Sequence, residues 1–475
     1  MAGVFGDVSR DAGKEGVFDL FYGTDYHSHL GTKFGGMAIS HDGKIHRKIH
    51  ELFNSTFRGK FGDFVSGAEG NMGIGVISDY EEQPLLIDSH LGRYSLVHVG
   101  KVINLEKIAN DFKRRGGHFS EMTDDGINPV GVIAALINQG ENFLHGLELA
   151  QNSIEGSSSL LLLTREGIYV SRDKLGRTPL VLGKKENAWA VASETCAFPT
   201  RGFRVEKYIG AGEIGILDDS GYHQLKKPEE RMQICSFLWV YYGFPASSYE
   251  GINVEKARYN CGRALARIDR KEGLEIDLVA GIPDSGTAHA IGFANEMKAD
   301  YGRLYVKYTP TWPRSFMPQE QEMRDLVAKM KLIPISELIE GKRILFCEDS
   351  IVRGTQLKET VKVLFDEYHA KEIHMRPSCP PLFYGCKFLN FSRNRNELDL
   401  AARRAVRTLG GENARAEDYS DEDSENFQRV VEEVRRDLGF TSLRYQKLGD
   451  LVSAIGLPKE KLCTYCWDGC TGCGK

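Results

Sequence analysis

The chain has 475 residues, and 61 Lys and Arg against 66 Asp and Glu give it a formal net charge of −5. Its 41% apolar and 27% charged residues are typical of a soluble globular protein of two or more domains. The nearly balanced charge excludes a globally basic nucleic-acid binder. No apolar run reaches the roughly 18 residues that a membrane span needs, and the start has no signal-peptide pattern. These features predict a cytoplasmic protein with no nucleic-acid or membrane partner.

The first half of the sequence contains short apolar runs that are typical of β-strands. They cover residues 73–77, 94–99, 159–164 and 168–171. Residues 105–115 and 130–138 instead have the apolar spacing of helices. A polar, hinge-like stretch at 226–231 favours a domain boundary near residue 230.

In the second half, apolar β runs alternate with helical stretches. The runs at 278–282, 344–347 and 373–376 predict strands, and the stretches at 287–298 and 357–368 predict helices. This alternation predicts βαβ units and a parallel sheet.

One of these strands leads into a turn of the phosphate-binding kind. Glu348 and Asp349 directly follow the apolar run, and a short turn with Ser350 and Gly354 then leads into a helix. Backbone N–H groups at a helix start stabilise a phosphate, and glycine allows its close approach. Because paired acids would repel a phosphate, we expect them to face sugar hydroxyls or a Mg²⁺ ion. The alternative is a plain strand–turn–helix in which the acids cap the helix.

Residues 348–355, with the sequence Glu-Asp-Ser-Ile-Val-Arg-Gly-Thr, resemble the phosphoribosyl pyrophosphate (PRPP) loop of type I phosphoribosyltransferases. The similarity is specifically to the amidophosphoribosyltransferase family. Four further segments resemble family signatures in the same order along the chain. They are 171–180 and 191–195 of the glutaminase domain, 282–286 of the pyrophosphate-side turn, and 306–332 of the flexible loop. The resemblance therefore spans nearly the whole chain.

The resemblance implies an α/β (α+β) protein of two domains. Residues 1–230 would form an N-terminal-nucleophile (Ntn) hydrolase-like αββα domain of the class II glutamine amidotransferases. Residues 231–475 would form a type I phosphoribosyltransferase domain with a parallel sheet and a cysteine-rich tail. The implied enzyme is a pentosyl transferase of de novo purine biosynthesis that forms 5-phosphoribosylamine and pyrophosphate from PRPP and ammonia. Its catalysis would consist of positioning, stabilisation by Mg²⁺ and cations, and closure against water.

Carried over residue by residue, the resemblance assigns a PRPP site. Glu348 and Asp349 would bind the ribose hydroxyls and Mg²⁺. The 5-phosphate would be held by Ser350, Ile351, Val352, Arg353, Gly354 and Thr355. The pyrophosphate side would consist of Asp284, Ser285 and the catalytic lid cations Lys307 and Arg314. Two positions depart from the family pattern, because Glu348 stands where Asp is usual and Gly286 stands where a hydroxyl residue often contributes to the metal site.

The first half lacks the catalytic groups of the family's glutaminase. In the family the mature chain begins with a cysteine that attacks glutamine, and Ala2 stands at that position here. The stretch whose arginine holds the glutamine carboxylate corresponds to residues 76–79, which contain no cation, and Val99 replaces the asparagine of the oxyanion hole. Loss of one oxyanion donor alone typically lowers the rate roughly 10²–10³-fold. We therefore predict a glutaminase-inactive domain, with ammonia that is free or delivered by a partner.

The ten cysteines are unevenly placed, and Cys463, Cys466, Cys470 and Cys473 lie near the C-terminus. Spacing alone fits either a metal site or a frayed tail with reactive thiols. Some family members carry a [4Fe–4S] cluster, and the resemblance assigns as its ligands Cys235, Cys386, Cys463 and Cys466. Cys379 is the alternative to Cys386, and Zn²⁺ is the alternative to the cluster. Cys470 and Cys473 would be spare thiols or replacement ligands.

A function of another class is a regulatory protein that senses PRPP or nucleotides and keeps the loop without the chemistry. The cations of the predicted lid favour catalysis, because a sensor has less need to seal its site. The resemblance also implies a homo-oligomer, a tetramer in the family, and inhibition by purine nucleotides.

Overall fold

The computed structural model of the chain describes residues 2–53, 55–119, 122–123, 126–307, 332–389 and 396–471. The strands of the first half are β1 (Ala2–Gly13), β2 (Phe34–His41), β3 (Lys44–Glu51), β4 (Gly70–Ser78), β5 (Leu85–Ser89), β6 (Gly92–Val102), β7 (Met122–Thr123), β8 (Gly126–Ile127), β9 (Gly156–Leu163), β10 (Ile168–Ser171), β11 (Val181–Lys185), β12 (Ala188–Ala192), β13 (Arg204–Tyr208), β14 (Ile214–Leu217) and β15 (Tyr222–Lys226). Its helices are α1 (Lys14–Asp25), α2 (Phe57–Ser66), α3 (Leu105–Arg114), α4 (Pro129–Ile137) and α5 (Phe143–Ser153).

These strands form two antiparallel sheets that pack face to face. One sheet has the order β13-β11-β12-β1-β4-β2-β3 and the other has the order β15-β14-β10-β9-β6-β5. The side chains of β1 alternate as the strand period requires, so that Val4 faces the second sheet and Phe5 faces the helices. Helices α1 and α2 cover the first sheet, and α4 and α5 cover the second. The first half is therefore an αββα sandwich, as predicted.

The strands of the second half are β16 (Ile234–Cys235), β17 (Ser248–Tyr249), β18 (Ile252–Asn253), β19 (Leu278–Gly281), β20 (Tyr305–Lys307), β21 (Leu332–Pro334), β22 (Arg343–Glu348), β23 (Glu372–Pro377), β24 (Ser442–Leu443) and β25 (Leu462–Cys463). Its helices are α6 (Val254–Glu272), α7 (Ser285–Met297), α8 (Thr355–Asp366), α9 (Ala401–Gly410), α10 (Glu425–Leu438), α11 (Leu448–Ile455) and α12 (Tyr465–Asp468).

The centre of the second half is a parallel sheet in the order β19-β22-β23-β24. Helices α6 and α7 pack on one face around Leu265 and Phe293, and helices α8, α9 and α10 pack on the other around Phe346. Because β22 is buried on both faces, it is a continuous apolar run, as central parallel strands usually are. This layered α/β arrangement confirms the predicted fold class. Among the described residues, no helix has the length and apolar character needed to cross a bilayer.

A buried ion pair fixes α6 against the parallel sheet. Arg376 on β23 donates from Nε to Asp269 Oδ2 at 2.6 Å and from Nη2 to Oδ1 at 3.1 Å. The side chains are only 2% and 1% exposed, so neither charge has water to solvate it. Breaking such a pair leaves an uncompensated buried charge.

We expect Asp269→Asn to lower the free energy of unfolding by about 3 kcal/mol, because the Arg376 guanidinium would lose its counter-charge. Denaturant unfolding followed by circular dichroism measures this change. The matched control is Asp437→Asn, whose partner Lys358 lies 2.8 Å away at the surface and whose removal should cost less than about 1 kcal/mol. Equal effects of the two substitutions would contradict the assignment.

Candidate active site

The predicted phosphate turn lies where β22 ends at the carboxyl edge of the parallel sheet. Residues 350–354 form the turn, and α8 begins at Thr355. Gly354 has φ +74°, a left-handed conformation, and a Cβ there would lie 2.9 Å from Leu438 Cδ2. The turn is fixed from outside, because Ala401 N–H at the start of α9 donates to the Val352 carbonyl at 2.8 Å. The result is a helix N-terminus presented at the end of a strand, a geometry that stabilises an anion.

The two acids at the start of the turn lie side by side. Asp349 accepts hydrogen bonds from the hydroxyls of Ser285, at 2.6 Å, and Ser350. Burial, reinforced by the charge of Asp349, raises the pKa of Glu348 well above its usual value. The protonated form of Glu348 is therefore favoured until a cation or a hydrogen-bond donor arrives. This carboxyl pair suits a hard cation such as Mg²⁺ together with hydroxyl donors.

The neighbouring strand β19 brings the other predicted residues to the same edge. Ser285 begins α7, and the hydrogen bond to Asp349 joins the two turns. Lys307 at the end of β20 pairs with Asp284 Oδ2 at 2.6 Å. Asp284 is 72% exposed, so this side of the site is open to solvent. Arg314 lies outside the described residues.

The structure gives a steric reason for the glycine at position 286. A Cβ at this position would lie 2.4 Å from the Cys347 carbonyl oxygen, far inside van der Waals contact. A hydroxyl side chain therefore does not fit at this position without a backbone shift. Gly286 has no side chain that could take over the metal contact that the hydroxyl residue often makes in the family.

In the first half, the positions of the missing glutaminase groups border one small cavity. Ala2 pairs in register with Ser78 of β4, and both are buried. Ala2 and Val99 line the cavity together with Leu30, Pro179, Leu238 and Leu389. The space holds about one molecule of the size of water. Two of these lining residues, Leu238 and Leu389, come from the second half, so the cavity lies between the two halves of the chain.

A buried carboxylate joins the two halves beside this cavity. Glu194 accepts from the hydroxyls of Ser247, at 3.0 Å, and Tyr249, and pairs with His29 Nε2 at 3.1 Å. Burial alone would raise the pKa of Glu194, but His29 and the Tyr249 hydrogen bond lower it to about 2. The sequence did not reveal this network, because Glu194 and its partners are separated by more than 50 residues in either direction.

The four predicted cluster cysteines are gathered at the same junction. The parallel pair β16–β25 places Cys235 opposite Cys463. Cys386 and Cys466 are joined by a hydrogen bond, which together with burial raises the pKa of the Cys466 thiol. Burial, followed by the charges of Cys463 and Cys386, raises the pKa of Cys235 well above its usual value. These raised pKa values reflect repulsion between neighbouring thiolates, which is relieved when the thiolates bind a cationic centre. The four cysteines are therefore suitable ligands for a metal centre.

The other candidate cysteines are placed differently. Cys379 is buried beside Asp349, Cys261 and Trp467, and the causes that shift its pKa include none of the four gathered cysteines. Cys470 is disulfide-bonded, so the interpretation of it as a spare thiol or replacement ligand is wrong for this structure. Cys473 lies outside the described residues. Among the described residues, no three His, Cys, Asp or Glu side chains have the mutual geometry of a single metal-ion site.

An αββα sandwich joined to a parallel-sheet domain with a strand–acid-pair–turn–helix edge defines a two-domain glutamine-amidotransferase-type phosphoribosyltransferase. The comparisons with known proteins agree. The glutamine amidotransferase domain family matches residues 71–200. The amidophosphoribosyltransferase of Mycobacterium bovis is 31% identical over 396 residues, which are 82% of this chain and 69% of that protein. The chain belongs to the amidophosphoribosyltransferase family.

Two further relatives cover nearly the whole chain. The amidophosphoribosyltransferase of Methanothermobacter thermautotrophicus is 29% identical over 98% of this chain and 93% of its own length. The solved structure of the Bacillus subtilis glutamine PRPP amidotransferase, complexed with ADP and GMP, has a TM-score of 0.81 at 27% identity and covers 98% of this chain and 96% of that one. Both domains of the fold are therefore shared.

We expect Glu348→Gln to stabilise the ligand-free protein at neutral pH while it weakens Mg²⁺ and PRPP binding. Because the pKa of Glu348 is higher in the folded protein than in the unfolded chain, folding above the unfolded pKa requires either the uptake of a proton or the burial of a charge. Removing this requirement should raise the free energy of unfolding by on the order of 1 kcal/mol at pH 7, and the gain should vanish as the pH falls toward about 4. Urea unfolding at the two pH values measures it.

The control for this experiment is Glu359→Gln, an exposed carboxylate on α8. It should change neither the stability nor its pH dependence. A Glu348→Gln variant that is less stable than the parent at pH 7 would show that Glu348 is ionised and paired in the free protein.

Proposed function

We propose that this chain is an amidophosphoribosyltransferase of de novo purine biosynthesis that uses ammonia instead of glutamine and works in the cytoplasm. The observation that carries the proposal is the edge of the parallel sheet, where the acid pair 348–349, the turn 350–355 and the Ser285–Asp349 hydrogen bond meet. A sugar that carries phosphate at one end and pyrophosphate at the other matches this set of anion and hydroxyl sites.

In the proposed complex, different residues of the chain bind different parts of the substrate. Glu348 and Asp349 would accept hydrogen bonds from the ribose hydroxyls and would hold Mg²⁺, which would supply positive charge for the leaving pyrophosphate. The backbone N–H groups of 350–355 and the hydroxyls of Ser350 and Thr355 hold the 5-phosphate. Lys307 exchanges its partner Asp284 for the pyrophosphate, beside Ser285 and Arg314.

The reaction that fits this arrangement is a displacement at C1 of the ribose. The C1–oxygen bond to pyrophosphate breaks, the nitrogen of neutral ammonia forms the new bond to C1, and the nitrogen then loses a proton. Positive charge develops on the ribose in the transition state, next to the carboxylates of Glu348 and Asp349. Neutral ammonia already has a free lone pair, so no general base is needed for the attack, and catalysis consists of positioning and leaving-group stabilisation.

The state of the first domain supports ammonia as the nitrogen source. The methyl group of Ala2 cannot attack an amide, and the Val99 side chain cannot donate to an oxyanion. Ser78, the register partner of Ala2, is not a replacement nucleophile. Its hydroxyl donates to Glu81 and accepts from the N–H groups of Tyr80 and Glu81.

The purified chain should release pyrophosphate from PRPP and Mg²⁺ with ammonium chloride, and glutamine should give no more than the rate without amine. A coupled pyrophosphate assay at equal nitrogen concentrations measures both rates. Equal rates with glutamine would contradict the loss of the glutaminase. PRPP binding without turnover by any amine would instead favour the sensing function.

We further propose a [4Fe–4S] cluster on Cys235, Cys386, Cys463 and Cys466. The support is their gathering from three segments at one buried junction. Arg177 of the first half lowers the pKa of Cys463, and its guanidinium carbon lies 3.7 Å from the Phe388 ring centroid, so the group would be held against the first domain. Its role would be structural.

Anaerobically purified protein should be brown and contain iron, and Cys386→Ser should lose both the visible absorption and the iron. The matched control Cys379→Ser changes a buried cysteine outside the gathered four and should keep both. Absorption spectra and metal analysis provide the measurement. A colourless wild-type protein with stoichiometric zinc would contradict the cluster.

We also propose that purine nucleotides inhibit the enzyme and that it is a homo-oligomer. The support for the first is that the Bacillus subtilis relative is described in complex with ADP and GMP.

A further inference from the structure

A largely buried carboxylate, that of Glu81, follows the segment 76–79, which the resemblance aligns with the family's glutamine-binding arginine stretch. The Glu81 side chain is 12% exposed; its Oε2 accepts from Ser78 Oγ at 3.1 Å and its Oε1 lies 3.8 Å from His98 Nε2. Burial raises the pKa of Glu81, but His98, Ser78 and the charge of the amino terminus together lower it below its usual value. This carboxylate would repel a second carboxylate, so the site is unsuited to glutamine.

The imidazole beside Glu81 has unused hydrogen-bonding capacity. His98 is 1% exposed, and neither ring nitrogen has a hydrogen-bond partner among the residues that the structure describes. Its Nε2 is too far from Glu81 for a hydrogen bond. Gln83 fixes the backbone, because His98 N–H donates to its Oε1 at 2.8 Å and its Nε2 donates to the His98 carbonyl at 3.2 Å. A buried polar ring held in this way is costly unless a ligand or water satisfies it.

This pair lies next to the small cavity between the two halves. Ser78 is the register partner of Ala2, and His98 directly precedes Val99 on β6, while Ala2 and Val99 line the cavity. The cavity is also lined by a second carboxylate, that of Glu194, so negative charge lies on both sides of this position.

We propose that Glu81 and His98 form a binding site for the ammonium ion, with Ser78 holding the Glu81 carboxylate in place. Ammonium is small, carries one positive charge and has four N–H donors, which match the carboxylate of Glu81 and an unprotonated ring nitrogen of His98. The ring nitrogen distinguishes it from K⁺, which prefers a shell made of oxygens. The inference deepens the proposed function, since the ion bound here is the conjugate acid of the amine substrate.

Direct binding tests the site without any turnover. Crystals of the full chain soaked with a thallium(I) salt, a monovalent cation of nearly the size of ammonium, should show an anomalous peak beside the Glu81 carboxylate. Excess ammonium should remove the peak, and Glu81→Gln should abolish it. The control Glu82→Gln changes the neighbouring exposed carboxylate and should keep it. No peak in the wild type, or a peak that survives in Glu81→Gln, overturns the proposal.

Kinetics tests the consequence for the reaction. Loss of a charge-assisted contact should raise the KM for ammonium roughly tenfold or more in Glu81→Gln, with kcat and the KM for PRPP unchanged. Glu82→Gln should match the wild type, and equal thermal unfolding midpoints show that both variants fold. An unchanged KM for ammonium in Glu81→Gln overturns the role in substrate binding. If thallium binds but no amine is turned over, the site stands and the proposed function fails.

Discussion

The adjacent carboxyl groups of Glu348 and Asp349 are the feature on which the rest of the second domain depends. Burial and the charge of Asp349 raise the pKa of Glu348, and two hydroxyls donate to Asp349, so ionising both carboxyl groups together is unfavourable in the free protein. A divalent cation and sugar hydroxyls would remove the conflict. The same strand end opens into a helix N-terminus, which favours the opposite kind of ligand, a phosphate. A site that favours a cation and hydroxyl groups thus lies a few residues from one that favours an anion. Such a pair of sites suits a substrate that carries hydroxyls next to a phosphate.

The first domain supplies buried partners to the second, whatever its own chemistry. Glu194 binds Ser247 and Tyr249, and Arg177 reaches Cys463, so the second half depends on the first for buried partners. Removal of the αββα sandwich would leave buried polar groups of the second half and the cysteine junction unsupported. The structural role of the first domain therefore does not depend on its ability to cleave an amide.

Much of the fold could be predicted from sequence because strong periodicity marks long elements. The strand at 168–171 has the predicted bounds, and α7 begins at Ser285, two residues before its apolar spacing does. The pairing of Cys235 with Cys463 could not be derived from periodicity, because two-residue strands have none and the partners are 228 positions apart. Glu81 could not be predicted in this way, because comparison with a family motif reveals which group is lost and not which side chains lie near that position.

The central claim is that the turn from Glu348 to Thr355 binds PRPP. The most direct measurement is a crystal structure of the full chain with PRPP and Mg²⁺ in the absence of any amine. The account predicts the 5-phosphate on the backbone N–H groups of residues 350–355, with the ribose hydroxyls and the metal ion at Glu348 and Asp349. Clear density for PRPP elsewhere, or an empty turn at saturating PRPP, would contradict it.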